Sequence, residues 1–301
     1  NLLYLKFIQM GGKIGVNIFV LISGYFLINT DKIKINKILK LWGQMFFYAL
    51  LIYIIFVVFG LKEFEIKTFT KNLFPVINKT WWFASAYFLL YIISPFLNII
   101  LKNIDRNTYK KIICFMLVIW CIIPTFKLIV FQFNSLIWFI VLYCVAGYIR
   151  LYSDDWKISN KVCFVFSGLI AVITYFLVIF FYQNSHLFAM QTLSMFLISF
   201  LLFLGFKKTN IEYNFFVNNI ASTTFGIYLI HDNAYMRSFL WIDFFKVKVF
   251  RNSNFLIPYS IYICLIVFVT CTIIDLIRQY TIEQYYMKFI SIIEQKLKRK
   301  K

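Results

Sequence analysis

The chain has 301 residues, of which 62% are hydrophobic, 22% aromatic and only 14% charged, and its mean hydropathy is +0.79. That balance excludes an ordinary soluble domain. The formal net charge of +19 would suggest a nucleic-acid partner in a soluble protein, but here the basic residues stand in short runs between apolar segments and read first as topology signals.

A helix needs ~20 mostly apolar residues to cross a bilayer. By that measure the sequence predicts an all-α polytopic transmembrane bundle with nine spans, at about 11–29, 38–60, 81–101, 111–130, 135–149, 162–182, 188–206, 217–236 and 256–277. No long-period repeat or low-complexity linker divides it, so 1–301 reads as one integral membrane domain. Twenty of the 31 Lys and Arg fall on the side that holds loops 30–40, 102–111, 150–161 and 207–216 and the tail from Arg278. The richer side is expected to be cytoplasmic, which puts the KLKRKK tail inside, as a topology and anionic-lipid anchor, and Asn1 outside. None of the six cysteines forms a CxxC pair or joins a histidine, and all six lie in apolar segments, so neither a metal site nor a disulfide framework is expected.

The first span, GGKIGVNIFVLISGYFLIN, carries Gly11, Gly15 and Gly24, a buried-looking Asn17 and the run Ser23-Gly24-Tyr25. Small residues let a neighbouring helix or a ligand approach closely, and both readings are open. Directly after it, Lys32, Lys34, Lys37 and Lys40 form either a positive-inside signal or a set of point charges for a coenzyme's phosphates.

Trp81 and Trp82 open the third span and read as an interfacial aromatic belt or as a stacking platform for a sugar. Tyr87, Tyr91, Ser94 and Asn98 follow on one face of that span, beside Pro95, and a polar stripe within a span faces protein or a wet cavity. Lys127 reads as an edge lysine, Arg150 mainly as topology and His186 as a surface histidine. In NNIASTTFGIYLIHDNAYM, Thr224, Tyr228, His231 and Tyr235 share one helical face and Asp232 follows directly. This is either a base with a neighbouring carboxylate or a polar cluster holding helices together.

Three of these stretches carry a resemblance. The pattern G-x-x-G-V-x-I-F-x-x-I-S-G-Y-x-L resembles the second transmembrane helix of acyltransferase family 3. The pattern W-W-F-x-x-x-Y-x-L-L-Y-x-x-x-P-x-L-N resembles its exopolysaccharide-type members, and G-I-Y-L-I-H resembles its late helix. These are integral membrane enzymes of ten helices that acylate extracytoplasmic sugars. The resemblance implies an O-acetyltransferase of surface polysaccharide, exopolysaccharide or capsule, or of a lipid-linked precursor, at the plasma membrane. It implies acetyl-CoA as donor, Lys37, Lys40, Ser23, Gly24 and Tyr25 on the donor side, and Trp81, Trp82, Tyr87, Tyr91 and Tyr228 on the sugar side. His231 and Asp232 are the catalytic candidates within the chain.

Two departures matter. The family usually carries arginines where this sequence has Lys37 and Lys40. Its catalytic histidine belongs to a first helix that no residue here occupies, so the expectation is a chain that has lost that helix. A polysaccharide flippase and an inactive subunit of a polysaccharide synthesis complex remain the rival readings.

Overall fold

The structure, a computed structural model, describes residues 1–30, 32, 34–127, 133–153, 156–181 and 185–299. Its helices, in chain order, are α1 (Leu2–Leu27), α2 (Ile35–Val58), α3 (Ile66–Leu73), α4 (Trp82–Asn103), α5 (Arg106–Leu117), α6 (Ile123–Thr125) and α7 (Ser135–Tyr152). Then come α8 (Asn160–Phe180), α9 (Leu193–Lys207), α10 (Phe215–His231), α11 (Ala234–Ser238), α12 (Leu256–Arg278) and α13 (Gln284–Arg299). Single π-helical turns occupy Val118–Ile122, Phe239–Phe244 and Gln279–Glu283. No strand occurs among the described residues, and eight helices are long and apolar enough to cross a membrane. The fold is all-α and polytopic.

Most predicted spans stand, with shifted ends. α1 starts nine residues before the predicted 11–29, and the predicted 111–130 span begins at Arg106 and stops at Thr125. The predicted 217–236 span is interrupted. α10 ends at His231 after 17 residues, and the Asn233 side chain accepts from the Tyr235 amide to start a separate helix, α11. Beyond Ile292 the side chains of the basic tail lie outside the description, as do Lys300 and Lys301 altogether.

The chain divides into two compact units. The first holds Lys34–Phe88 and Glu212–Lys301. Its core joins Met45, Tyr48, Ile52 and Phe56 of α2 to Trp81, Ile227 and Ile230, and to Ile263, Val267 and Cys271 of α12.

The second unit holds Leu2–Ile33 and Leu89–Ile211. Here α8 is built inside out. Val162, Val165, Phe166, Leu169, Val172, Ile173, Phe176 and Phe180 are exposed, as lipid-facing side chains are, while Cys163, Ser167 and Thr174 are buried. Gly205 of α9 lets the Phe164 ring close in, since a methyl there would stand 2.8 Å from it. Asn17 is fully buried: its Nδ2 donates to the Met190 carbonyl at 2.8 Å, and its Oδ1 accepts from Trp138 Nε1 at 2.9 Å.

Candidate active site

α10 is started by Asn214, whose side-chain oxygen accepts from the Val217 amide. At its other end His231 turns back on its own helix, and Nδ1 lies 2.7 Å from the Ile227 carbonyl. A carbonyl only accepts, so the proton sits on Nδ1. In the neutral ring that leaves the Nε2 lone pair to act as a base. The His231 ring meets Tyr228 edge-on at 6.3 Å, and Phe83, one residue into α4, stands perpendicular to Tyr228 at 5.3 Å. Tyr87 stacks on Phe83 at 6.1 Å, and Trp82 meets it edge-on at 6.0 Å. Beside them Trp81 Nε1 is buried without a hydrogen-bond partner among the described residues, and the buried Tyr228 hydroxyl interacts with the Phe83 backbone and the Asp232 carboxylate. One histidine thus sits beside Tyr228 in an aromatic setting.

The rest of the predicted stripe does not assemble on His231. Asp232 Oδ1 is 3.5 Å from Arg237 Nη1, and among the described residues no hydrogen bond joins Asp232 to His231. Following its own helix, Tyr235 packs on Tyr53 and Phe56 of α2 at 6.2 and 5.6 Å. Thr224 is exposed and donates back to the Ala221 carbonyl.

The other predicted residues are dispersed. In the first unit Lys37 is exposed, while Lys40 pairs with Glu283 at 2.5 Å. In the second, Ser23 Oγ donates to the Phe19 carbonyl at 2.8 Å. Gly24 is a close-approach site: a methyl there would stand 3.0 Å from Ala146 and 3.1 Å from the Tyr143 backbone of α7. A methyl at Gly11 or Gly15 would meet nothing within 4 Å among the described residues. Tyr25 accepts a hydrogen bond from Arg150 Nη1 at 2.8 Å. Tyr91 is buried, and Asn98 is engaged on both its ends. Its Nδ2 donates to the Leu27 and Thr30 carbonyls at 2.8 Å each, and its Oδ1 accepts from the Tyr143 hydroxyl at 2.5 Å. His186 bonds the Pro124 carbonyl through Nε2 at 2.9 Å.

The family model of an acyltransferase domain matches residues 1–278, more than nine-tenths of the chain. The chain belongs to acyltransferase family 3. No curated protein and no solved structure matches it significantly.

This family 3 acyltransferase also contains a buried ionic network that the sequence reading missed. Asp275 of α12 is 0% exposed; its Oδ1 accepts from Tyr48 at 2.7 Å, from Gln44 at 3.3 Å and from Arg278 Nε at 2.7 Å. Gln279 donates to the other carboxylate oxygen at 2.8 Å. Arg278 continues to Glu283 at 2.6 Å, which the π-helical turn Gln279–Glu283 brings back towards it. Arg278 is therefore not the start of a solvated basic tail, as its place in the sequence suggested, but a buried cation between two carboxylates. The missed signal is plain in TIIDLIRQY: an acid and a base three apart at the end of an apolar span must pair within the protein or be expelled from it.

Proposed function

We propose that this acyltransferase family 3 protein is a plasma-membrane O-acetyltransferase. It moves acetyl from acetyl-CoA, approached from the cytoplasm, to a hydroxyl of an extracytoplasmic polysaccharide or lipid-linked sugar. The observation that carries the reading is His231, whose Nδ1 is held by the Ile227 carbonyl and whose Nε2 has no hydrogen bond among the described residues, in a chain whose first 278 residues match an acyltransferase domain. On this reading Nε2 takes the proton of the sugar hydroxyl, and the oxygen attacks the thioester carbonyl. The carbon–sulfur bond breaks, and the proton is returned to the departing thiolate. Trp81 Nε1, without a partner among the described residues, is assigned as a donor to the developing oxyanion. Trp82 and Tyr87 are assigned to the sugar, and the exposed Lys37 to the coenzyme as a point charge. The C-terminus is assigned to the cytoplasm by the basic loops.

The test is the acetyl content of surface polysaccharide in a deletion strain, complemented with the wild type or with His231→Gln. The reading expects acetylation to be lost on deletion, restored by the wild type and not by the variant, with export intact throughout. Unaltered acetylation contradicts it, and lost export with normal acetylation assigns the protein to flipping instead.

A further inference from the structure

We infer that the groove at the adjoining ends of α1, α7 and α9, in the second unit, holds the headgroup of an anionic phospholipid. Tyr25, Arg150 and Lys207 each sit in the last turns of a helix long and apolar enough to cross a membrane. They line a cavity of about 480 Å³. The Tyr25 ring gathers both cations: Arg150 Cζ is 4.9 Å from its centroid and Lys207 Nζ 5.5 Å. The two like charges are therefore at most about 10 Å apart, within roughly one Debye length at 0.1 M salt. Arg150 donates to the Tyr25 hydroxyl and Lys207 to Ser153 Oγ at 2.6 Å, and among the described residues neither forms an ion pair. Lys208 adds a third positive charge next in sequence, anchored on the Trp156 and Ile158 carbonyls.

The remaining wall selects the kind of anion. Ile22, Phe26 and Phe206 line the same cavity and are 44%, 68% and 57% exposed. At the ends of spanning helices such side chains face acyl chains, as those of α8 do. A phosphodiester carrying acyl chains covers them, while the Arg150 guanidinium offers its remaining N–H groups to the phosphate oxygens. Snorkelling alone explains one cation at a helix end but not two converging on one ring, with no carboxylate among the described residues paired to either. This inference does not rest on the acetyltransferase reading, because binding is read without turnover.

The experiment is native mass spectrometry of the full chain taken from nanodiscs of equal phosphatidylglycerol and phosphatidylcholine, counting the lipid retained. The wild type should retain phosphatidylglycerol preferentially. Arg150→Gln/Lys207→Gln should lose roughly twentyfold of that preference and Arg150→Gln alone roughly fivefold, at about one interfacial charge each. Arg150→Lys and Lys110→Gln, the latter an exposed lysine of α5, should keep it. Should the double variant fail to fold, Arg150→Gln against Arg150→Lys decides the question. Equal retention of the two lipids by the wild type, or unchanged preference in Arg150→Gln, overturns the inference. Displacement of the lipid by millimolar coenzyme A also overturns it, by giving the groove to the acyl donor.

Discussion

Of the ten glycines, Gly226 of α10 is the one with the closest neighbour. A methyl built there would stand 2.1 Å from the Asp275 carboxylate carbon, on a side chain already held by Tyr48, Gln44, Arg278 and Gln279. Gly226→Ala should therefore destabilise the protein by about 3 kcal/mol, read as a lower melting temperature in detergent. Gly11→Ala, at a helix position with open space around it, should be neutral or slightly stabilising. The sequence singles out Gly11, Gly15 and Gly24 for close approach without distinguishing them, and passes over Gly226, because a glycine's neighbour across a helix interface lies far away in the chain. For Gly24 the partner is α7, and for Gly226 it is a carboxylate 49 residues on.

At the scale of elements, α4 shows how a proline is tolerated within a span. Pro95 has no N–H to give the Tyr91 carbonyl, and Ser94 Oγ donates to that carbonyl at 2.8 Å in its place. Ser94→Ala should cost about 1–2 kcal/mol by leaving a buried carbonyl unmet, whereas Ser94→Thr keeps the hydroxyl and should cost less. Outside the spans, Asp105 caps α5 by accepting from the Asn107 and Thr108 amides. The Thr108 side chain, with those amides, holds its carboxyl below the usual carboxylate range. A lowered folded-state pKa gives stabilisation that is complete above the unfolded value and lost as pH falls through the folded one. Hydrogen-exchange protection of the first turn of α5 should accordingly drop only in acid, and Asp105→Asn, still a good cap, should remove that dependence. The spanning helices were legible from apolar run length, whereas the short amphipathic α3 and α13 were not. Where an end differs, as at 217–236, a side chain caps the backbone locally: Asn233, after the polar pair His231-Asp232, accepts from the Tyr235 amide and starts a new helix.

For the molecule as a whole, the buried network is what distinguishes its first unit from a stack of apolar helices. It ties Gln44 and Tyr48 of α2 to α12 and, through Arg278, Glu283 and Lys40, ties the turn before α13 back to α2. Arg278→Gln should cost about 3–5 kcal/mol, because it leaves the fully buried Asp275 carboxylate without its counter-charge, while Glu283 keeps Lys40. The paired change Asp275→Leu/Arg278→Met should cost less than the single one, and a double-mutant cycle in detergent melts checks this. The class of the chain and its family were legible from composition and three short motifs. The network was not, because loops and tails were read for their charge, and Arg278 was counted with the tail rather than with Asp275. Of the predicted polar stripe on α10, Tyr228 and His231 came together, while Asp232 and Tyr235 were drawn to Arg237 and α2.

The most direct measurement follows radiolabelled acetyl from acetyl-CoA into polysaccharide, using purified protein in proteoliposomes and His231→Gln alongside. The account predicts label in the polysaccharide with the wild type and a loss of at least roughly a hundredfold in the variant, with its melting temperature unchanged. Full transfer by the variant, or none by a folded wild type given donor and acceptor, would contradict it.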